Sequence, residues 1–292
     1  MQIDFLAVGH ITHDRTPDGF RLGGTVSYAA VTARRLGWHP GILTRGSLGG
    51  LECNLKPGLP NGVCVLSGGD LDGVQIHLLP SPVSTTFSNI YRNGSRTQVV
   101  EAMAGQIHPN DLVPAWAGVP IVLLGPLVQE LPQSWAGAFP GSIMGVTPQG
   151  WMRTWDSLGH VRPTPWANAS SFLRRAEVVI LSREDVGGDE DYIRELAAQA
   201  RLLVVTDGYH GAQVYQGDAS YFVPARSTHE VDPTGAGDVF ATAFLIRYAE
   251  TGDSAIATRF AHVVASLSVE GFGMSAIPDR EAADMWFERN GW

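Results

Sequence analysis

The stretch Asp232-Pro233-Thr234-Gly235-Ala236-Gly237-Asp238 is followed by Val239-Phe240-Ala241-Thr242-Ala243-Phe244-Leu245-Ile246. Two glycines and an alanine let the backbone turn tightly and leave its N–H groups uncovered. The small apolar run after them predicts a buried helix that begins at the turn. A helix start offers unpaired N–H donors and the positive end of the helix dipole, which together suit phosphate. Asp238 stands at that start. A carboxylate there can accept a proton from an attacking hydroxyl while the N–H groups hold the transferring phosphoryl oxygens. A lone Gly-x-Gly would read equally well as a plain turn with a first-turn acid.

The full string resembles the C-terminal signature of the ribokinase-like (PfkB) family of sugar and nucleoside kinases. Asp232, Thr234, Gly235-Ala236-Gly237 and Asp238 all stand at the family's positions, with Thr242 a small departure. The resemblance implies phosphoryl transfer from ATP to an alcohol. Asp238 would be the base, the N–H groups of Gly235, Ala236 and Gly237 the anion hole, and Mg2+ the ion bridging the phosphates.

Upstream, residues 3–9 form a short apolar run that predicts a buried strand, with His10-Ile11-Thr12-His13-Asp14 beyond its end. Open α/β sheets bind ligands just past such strand ends. The resemblance makes Asp14 a substrate ligand that hydrogen-bonds acceptor hydroxyls; His10 and His13 read as local structure, with His10 within possible reach of the acceptor. Gly23-Gly24 opens a helix that runs from Thr25 to Leu36 and stops at Gly37. In the family this glycine pair lets the acceptor approach the backbone. Many relatives carry Asn where this chain has Tyr28, so the pocket shape differs here.

Short strands are expected over 41–47, 62–66 and 74–79. Residues 85–100 read as a hairpin about Asn93-Gly94. The resemblance makes residues 81–103 a small lid, with Asn89 a candidate acceptor contact and Arg92, Arg96 and Gln98 beside it. Because only eight residues separate Asp14 from Gly23, the lid is expected to be reduced to little more than one hairpin. This weakens the case for a dimer of paired lids, and the chain is expected to be a monomer or homodimer. Gln149 and Arg153 follow a strand at 142–148. Together with His13-Asp14 they carry a weaker resemblance to the myo-inositol kinase-like subgroup, and both are candidate substrate contacts.

After the strand at 176–181 comes Ser182-Arg183-Glu184-Asp185. Family kinases commonly have N-x-x-E here, organising magnesium, so Ser182 and Asp185 are the matching metal candidates. Helix capping by Ser182 explains the same residues without a ligand. Thr206, Gly208 and Gly211 match the family's T-x-G-x-x-G nucleotide loop, although a hairpin with turn glycines explains them too. Thr234, His262 and Gly273 complete the nucleotide candidates. The resemblance implies that Asp232, with Thr234 and the last loop, could hold a monovalent cation such as K+; a structural hydrogen-bond network explains the same residues equally well.

The 292 residues, 44% of them hydrophobic, suffice for a substantial core. With 20 basic against 29 acidic residues the net charge is −9, which excludes a basic footprint for nucleic acid or an anionic membrane. Cys53 and Cys64 have no metal-ligand spacing and read as reduced thiols of a cytoplasmic protein. No apolar run reaches membrane-spanning length. The expectation is a single ribokinase-like three-layer α/β/α domain over 1–292, with a mainly parallel central sheet and a reduced β lid. It would be an ATP- and Mg2+-dependent kinase acting on a sugar or a myo-inositol-like polyol. A nucleoside kinase and a non-catalytic sugar- or nucleotide-binding relative are the alternatives.

Overall fold

The computed structural model describes residues 2–16, 19–47, 52–92 and 95–289. In chain order the first elements are β1 (Phe5–Val8), β2 (Thr12–Thr16), β3 (Gly19–Gly23), α1 (Thr25–Arg35), β4 (Pro40–Gly46), β5 (Glu52–Asn54), β6 (Val63–Ser67), β7 (Gln75–Pro80), β8 (Thr85–Arg92) and β9 (Ser95–Ala102). Then come β10 (Ile121–Leu124), β11 (Ile143–Val146), β12 (Arg153–Trp155), β13 (Val161–Pro163), α2 (Ala169–Leu173), β14 (Val178–Ser182) and α3 (Glu190–Ala197). The last are β15 (Leu202–Thr206), β16 (Gly211–Gln216), β17 (Ala219–Pro224), α4 (Ala236–Thr251), α5 (Ser254–Ser268) and α6 (Arg280–Arg289).

The large sheet has the order β17-β16-β15-β14-β11-β10-β1-β4-β7-β6-β5. Its centre, from β15 to β7, is parallel, and antiparallel pairs extend both edges. Parallel strands are buried on both faces, which is why they read as unbroken apolar runs. In β1, Phe5 and Ala7 enter the core under α1, α4 and α5, whereas Leu6 and Val8 enter the opposite core around Trp135, Phe139 and Phe172. Strand β10 divides the same way, Ile121 and Leu123 against Val122 and Leu124.

The order reverses between β1 and β10, because β4 pairs on the other side of β1. Ligands bind beyond the carboxyl ends of strands at such a point. The two chain segments leave the sheet there almost in contact. A Cβ on Gly9 would lie 2.5 Å from the Gly125 carbonyl oxygen, so neither segment can shift toward the other.

A second sheet, β3-β2-β8-β9, stands apart from the first. The hairpin expected within 81–103 is present as β8 and β9, with Asn89 opposite Gln98. The short span before Gly23, read as too small for a second insertion, nevertheless forms the β2–β3 hairpin. It fits because β2 begins at Thr12, ahead of Asp14, and β3 ends on Gly23 itself, so motif residues double as strand residues. The small sheet therefore has four strands, not two. The Asn93-Gly94 turn lies outside the described residues.

Cys53 on β5 and Cys64 on β6 are joined as a disulfide, with Cα atoms 5.5 Å apart, in place of the two reduced thiols expected. Short β5 has no sequence signature of its own, so the pairing that brings the sulfurs together was not legible. Among the described residues no helix is long and apolar enough to cross a membrane.

Candidate active site

Helix α4 begins as its small residues predict, with Gly235 in the left-handed region at φ 78°. A side chain there would meet the Tyr28 ring, 2.2 Å from Cδ1, so only glycine lets this turn lie against the aromatic face. The Ala236 N–H donates to the Pro233 carbonyl at 3.1 Å. One of the three expected anion donors is thus engaged, and among the described residues the Gly235 and Gly237 N–H groups have no such backbone partner. Nothing lies within 4 Å of a Cβ placed on Gly237, so the space beside its α-carbon is open.

Asp238 follows in the first helical turn, half-buried yet surrounded by protein atoms. Burial pushes its carboxyl up to about 6; the neighbouring Asp185 adds to the rise, while a hydrogen bond from Thr25 and the charge of Arg153 oppose it. At neutral pH the carboxylate still dominates, and it is a better base than an ordinary aspartate. Thr25 went unread in the sequence because only the packing of α1 on α4 brings its hydroxyl to Asp238.

On the acceptor side, Asp14 lies on β2 and its Oδ1 accepts the Thr12 hydroxyl at 3.1 Å. The glycine pair has a structural cause. A Cβ on Gly23 would sit 2.4 Å from Asp14 Oδ2, and one on Gly24, at φ 89°, would sit 2.5 Å from the His10 carbonyl oxygen. The glycines thus admit the Asp14 carboxylate and the turn after β1. Tyr28 is buried, and among the described residues its hydroxyl has no protein partner. Burial, then Asp232, Asp238 and Asp14, hold its phenol well above the usual range against the pull of Arg21, so it stays an O–H donor. The side chain of Asn89 lies outside the described residues, as do those of Arg92 and Arg96.

His10 does not reach toward an acceptor. It is fully buried, with Nε2 on the Gly105 carbonyl at 3.0 Å and the Thr85 hydroxyl on Nδ1 at 2.8 Å. Beside it is a carboxylate that no sequence signal marked. Glu130, 2% exposed, accepts the N–H groups of His10 at 3.2 Å, Leu127 at 2.9 Å and Val128 at 2.8 Å.

Gln149 lies in a 3-10 turn after β11, and its amide donates to Asp185 Oδ1 at 3.2 Å. Arg153 starts β12 and is near enough to Asp238 to act on it electrostatically. Ser182 and Asp185 form a reciprocal cap: the Ser182 N–H donates to Asp185 Oδ2 at 2.9 Å, and the Glu184 N–H donates to Ser182 Oγ at 3.1 Å. The described residues contain no group of three or more side chains of metal-ligating type. Mg2+ carried on phosphates keeps several waters and needs only one or two carboxylates from a protein. Both Asp185 oxygens already accept hydrogen bonds, from Gln149 and from the Ser182 N–H, and its charge is near enough to act on Asp238.

A monovalent cation does not fit at Asp232. Oδ1 accepts the Thr234 N–H at 3.0 Å, and Oδ2 accepts the Gly273 N–H at 3.1 Å and faces Arg21 Nη1 at 3.5 Å. Hydrogen-bond donors and a guanidinium surround this carboxylate, where a hard cation requires oxygen ligands. Burial works to raise the Asp232 carboxyl, but Thr234, Gly273 and Arg21 outweigh it and hold it below the ordinary value.

Beyond the α4 start lies a cavity of about 170 Å³ bordered by Thr206, Gly208, Gly237, Phe240, His262 and Val269, among others. Thr206, Gly208 and His262 are thus brought together as expected. Gly211, Thr234 and Gly273 do not line it. Gly211 is required by the hairpin, since its Cβ would fall 2.2 Å from the Val223 carbonyl oxygen, and the other two serve Asp232. Burial pushes His262 down to about 4, although a backbone hydrogen bond at Val223 works the other way; its Nε2 has no partner among the described residues.

Residues 172–280 match the family model described as pfkB family carbohydrate kinase. A stretch of 90 residues is 38% identical to ribokinase of Bacillus subtilis (strain 168), covering 30% of this chain and 31% of that protein, so the match spans about a third of the relative. A pyrophosphate-dependent kinase in the ribokinase family, complexed with a pyrophosphate analog and myo-inositol, superposes with a TM-score of 0.74 at 20% identity, over 96% of this chain and 99% of that one. Ribokinase of Arabidopsis thaliana, complexed with ribose and ATP, gives 0.69 at 18% identity over 98% of each chain. At these identities the structures share the fold.

Proposed function

We propose, for a chain whose residues 172–280 belong to the pfkB family of carbohydrate kinases, that it transfers the γ-phosphoryl group of ATP to a hydroxyl of a sugar or cyclic polyol, with a myo-inositol-like acceptor the leading candidate. The carrying observation is Asp238. Its carboxyl is pushed up to about 6 at a helix start whose Gly235 and Gly237 N–H groups remain available. Tyr28 packs against Gly235 at this helix start, and the cavity at Thr206 and His262 borders Gly237.

On this reading Asp14 and the Tyr28 hydroxyl orient the acceptor, and Asp238 takes the proton of the attacking hydroxyl. The transition state is loose and its charge spreads over the phosphoryl oxygens, so the two N–H groups act where negative charge moves. Asp185 would be the residue that holds Mg2+, through oxygens that also accept from Gln149 and Ser182, and the ion would supply charge neutralisation for the donor phosphates. The half-enclosed cavity, with the unpartnered His262 nitrogen at its edge, supports a nucleoside portion on the donor. Residues 1–292 would form one kinase domain with the four-stranded sheet as its lid. ATP as donor goes with a cytoplasmic location, in which the Cys53–Cys64 bond faces a reducing thiol pool.

The test is ADP release from ATP and Mg2+ over myo-inositol, fructose, ribose and adenosine, with pyrophosphate as the alternative donor and Asp238→Asn as control. Acceptor-dependent ADP that falls roughly a thousandfold in the control, with ATP binding retained, is expected. ATP binding without turnover on any acceptor would favour a binding protein instead.

A further inference from the structure

Arg21 belongs to the small sheet, yet its guanidinium ends at the phosphoryl-binding turn of the large one. It lies on β3 opposite Asp14 in the antiparallel register, so the two share one face of that sheet. From there it reaches Asp232 Oδ2 at 3.5 Å across 211 residues of sequence. It also covers Gly273: a Cβ on that glycine, at φ 58°, would be 3.3 Å from Arg21 Nη2 and 3.4 Å from Cζ. Asp232 in turn ties the Thr234 and Gly273 backbones together. The carboxylate thus links the segment entering α4 to the last loop, and one cation from the small sheet lies against both.

An acidic residue at this junction needs a positive neighbour. With its charge uncompensated it would oppose the incoming phosphates and weaken the anion site that begins three residues along the chain. Two sources are chemically possible: a bound monovalent metal ion, or a side chain of this protein. The guanidinium is charged at every working pH and offers donors only, which matches a carboxylate and displaces a cation from it. At 48% exposure for Arg21 and 13% for Asp232 the pair adds little to stability; its value is in where the charge sits.

We propose that Arg21 is the built-in counter-ion of Asp232, so that the phosphoryl-binding turn works without a monovalent metal ion and is completed by the small sheet. The kinetic arm of this proposal rests on the kinase reading; the thermal arm does not. Wild type, Arg21→Gln and Arg21→Lys are compared in KCl and in choline chloride at equal ionic strength. Arg21 is exposed, so the variants should fold. Wild type and Arg21→Lys should melt at the same temperature in both salts, whereas Arg21→Gln should gain a saturable rise in Tm with K+ alone. Where turnover is seen, Arg21→Gln in choline should lose on the order of tenfold in kcat/KM, the scale of one charge contact, with recovery on adding K+ or guanidinium. A merely structural arginine would show no such salt-specific recovery. The proposal is overturned by a K+-specific rise in wild-type Tm or activity, or by Arg21→Gln melting identically in the two salts. If no acceptor is phosphorylated, the kinase reading fails while the thermal comparison still decides this one.

Discussion

Glu130 and Asp238 are two acids near the same end of the central sheet, and they are treated in opposite ways. Glu130 is surrounded by backbone donors from His10, Leu127 and Val128, so its charge is solvated by fixed dipoles. It locks the loop after β10 to the turn after β1. Asp238 has the Thr25 hydroxyl, a distant helping charge on Arg153 and an opposing one on Asp185. A carboxylate whose lone pairs are filled by the backbone maintains a shape. One that is crowded and underfilled is held closer to its neutral form. Burial alone does not separate the two; the supply of donors does.

The contrast can be broken most forcefully by exchanging what each acid loses. Asp238→Asn should lower kcat by roughly three orders of magnitude with an intact fold, as for removal of a general base. Glu130→Ala should do the reverse, lowering stability by about 3 kcal/mol in denaturant unfolding, because three backbone donors lose a buried charged acceptor. Glu130→Gln should recover part of that. A Glu130→Ala protein as stable as wild type would place both acids in one class.

A smaller effect sharpens the same point. Folding raises the Asp238 carboxyl to about 6, so its charged form is disfavoured in the native state. Its contribution to stability is most favourable at low pH and is lost as pH rises through about 6. Asp238→Asn should therefore melt higher than wild type at pH 8, by roughly 1–2 kcal/mol in stability, with the gain shrinking toward pH 4. A variant that melts lower at pH 8 would contradict the crowding. The smallest shift concerns Thr25. The acid limb of kcat/KM should lie near pH 6 in wild type, and Thr25→Val should move it upward by less than about one unit, since the lost hydrogen bond favoured the charged form. An unmoved limb would mean that Thr25 does not tune the base.

Local pattern made β1, α1, α4 and α5 legible, because their burial is written in periodicity and in the glycines that start or stop them. The resemblance carried by residues 232–238 singled out Asp238, and the structure brings Tyr28, Arg153 and Asp185 near enough to interact with it electrostatically. Thr25, Arg21 and Glu130 were not legible. Arg21 meets Asp232 across 211 residues, and Glu130 meets His10 across 120. No local signal records such meetings; only the strand register creates them. The β2–β3 hairpin was lost for a different reason, since its strands reuse motif residues that had already been given other tasks. Gly211, Thr234 and Gly273 show the converse: family positions that here maintain backbone geometry rather than line the cavity.

Tyr28 and Gly235 share one contact surface, the aromatic face and the bare α-carbon above it. That makes position 28 a poor independent variable for anyone retargeting this protein, or for drift across generations. A smaller residue would widen the pocket proposed for the acceptor and at the same stroke remove the floor under the Gly235 turn. Libraries that vary position 28 alone should return mostly inactive members. Those that vary it together with the 233–237 segment explore the combinations in which acceptor preference and catalytic competence change in step.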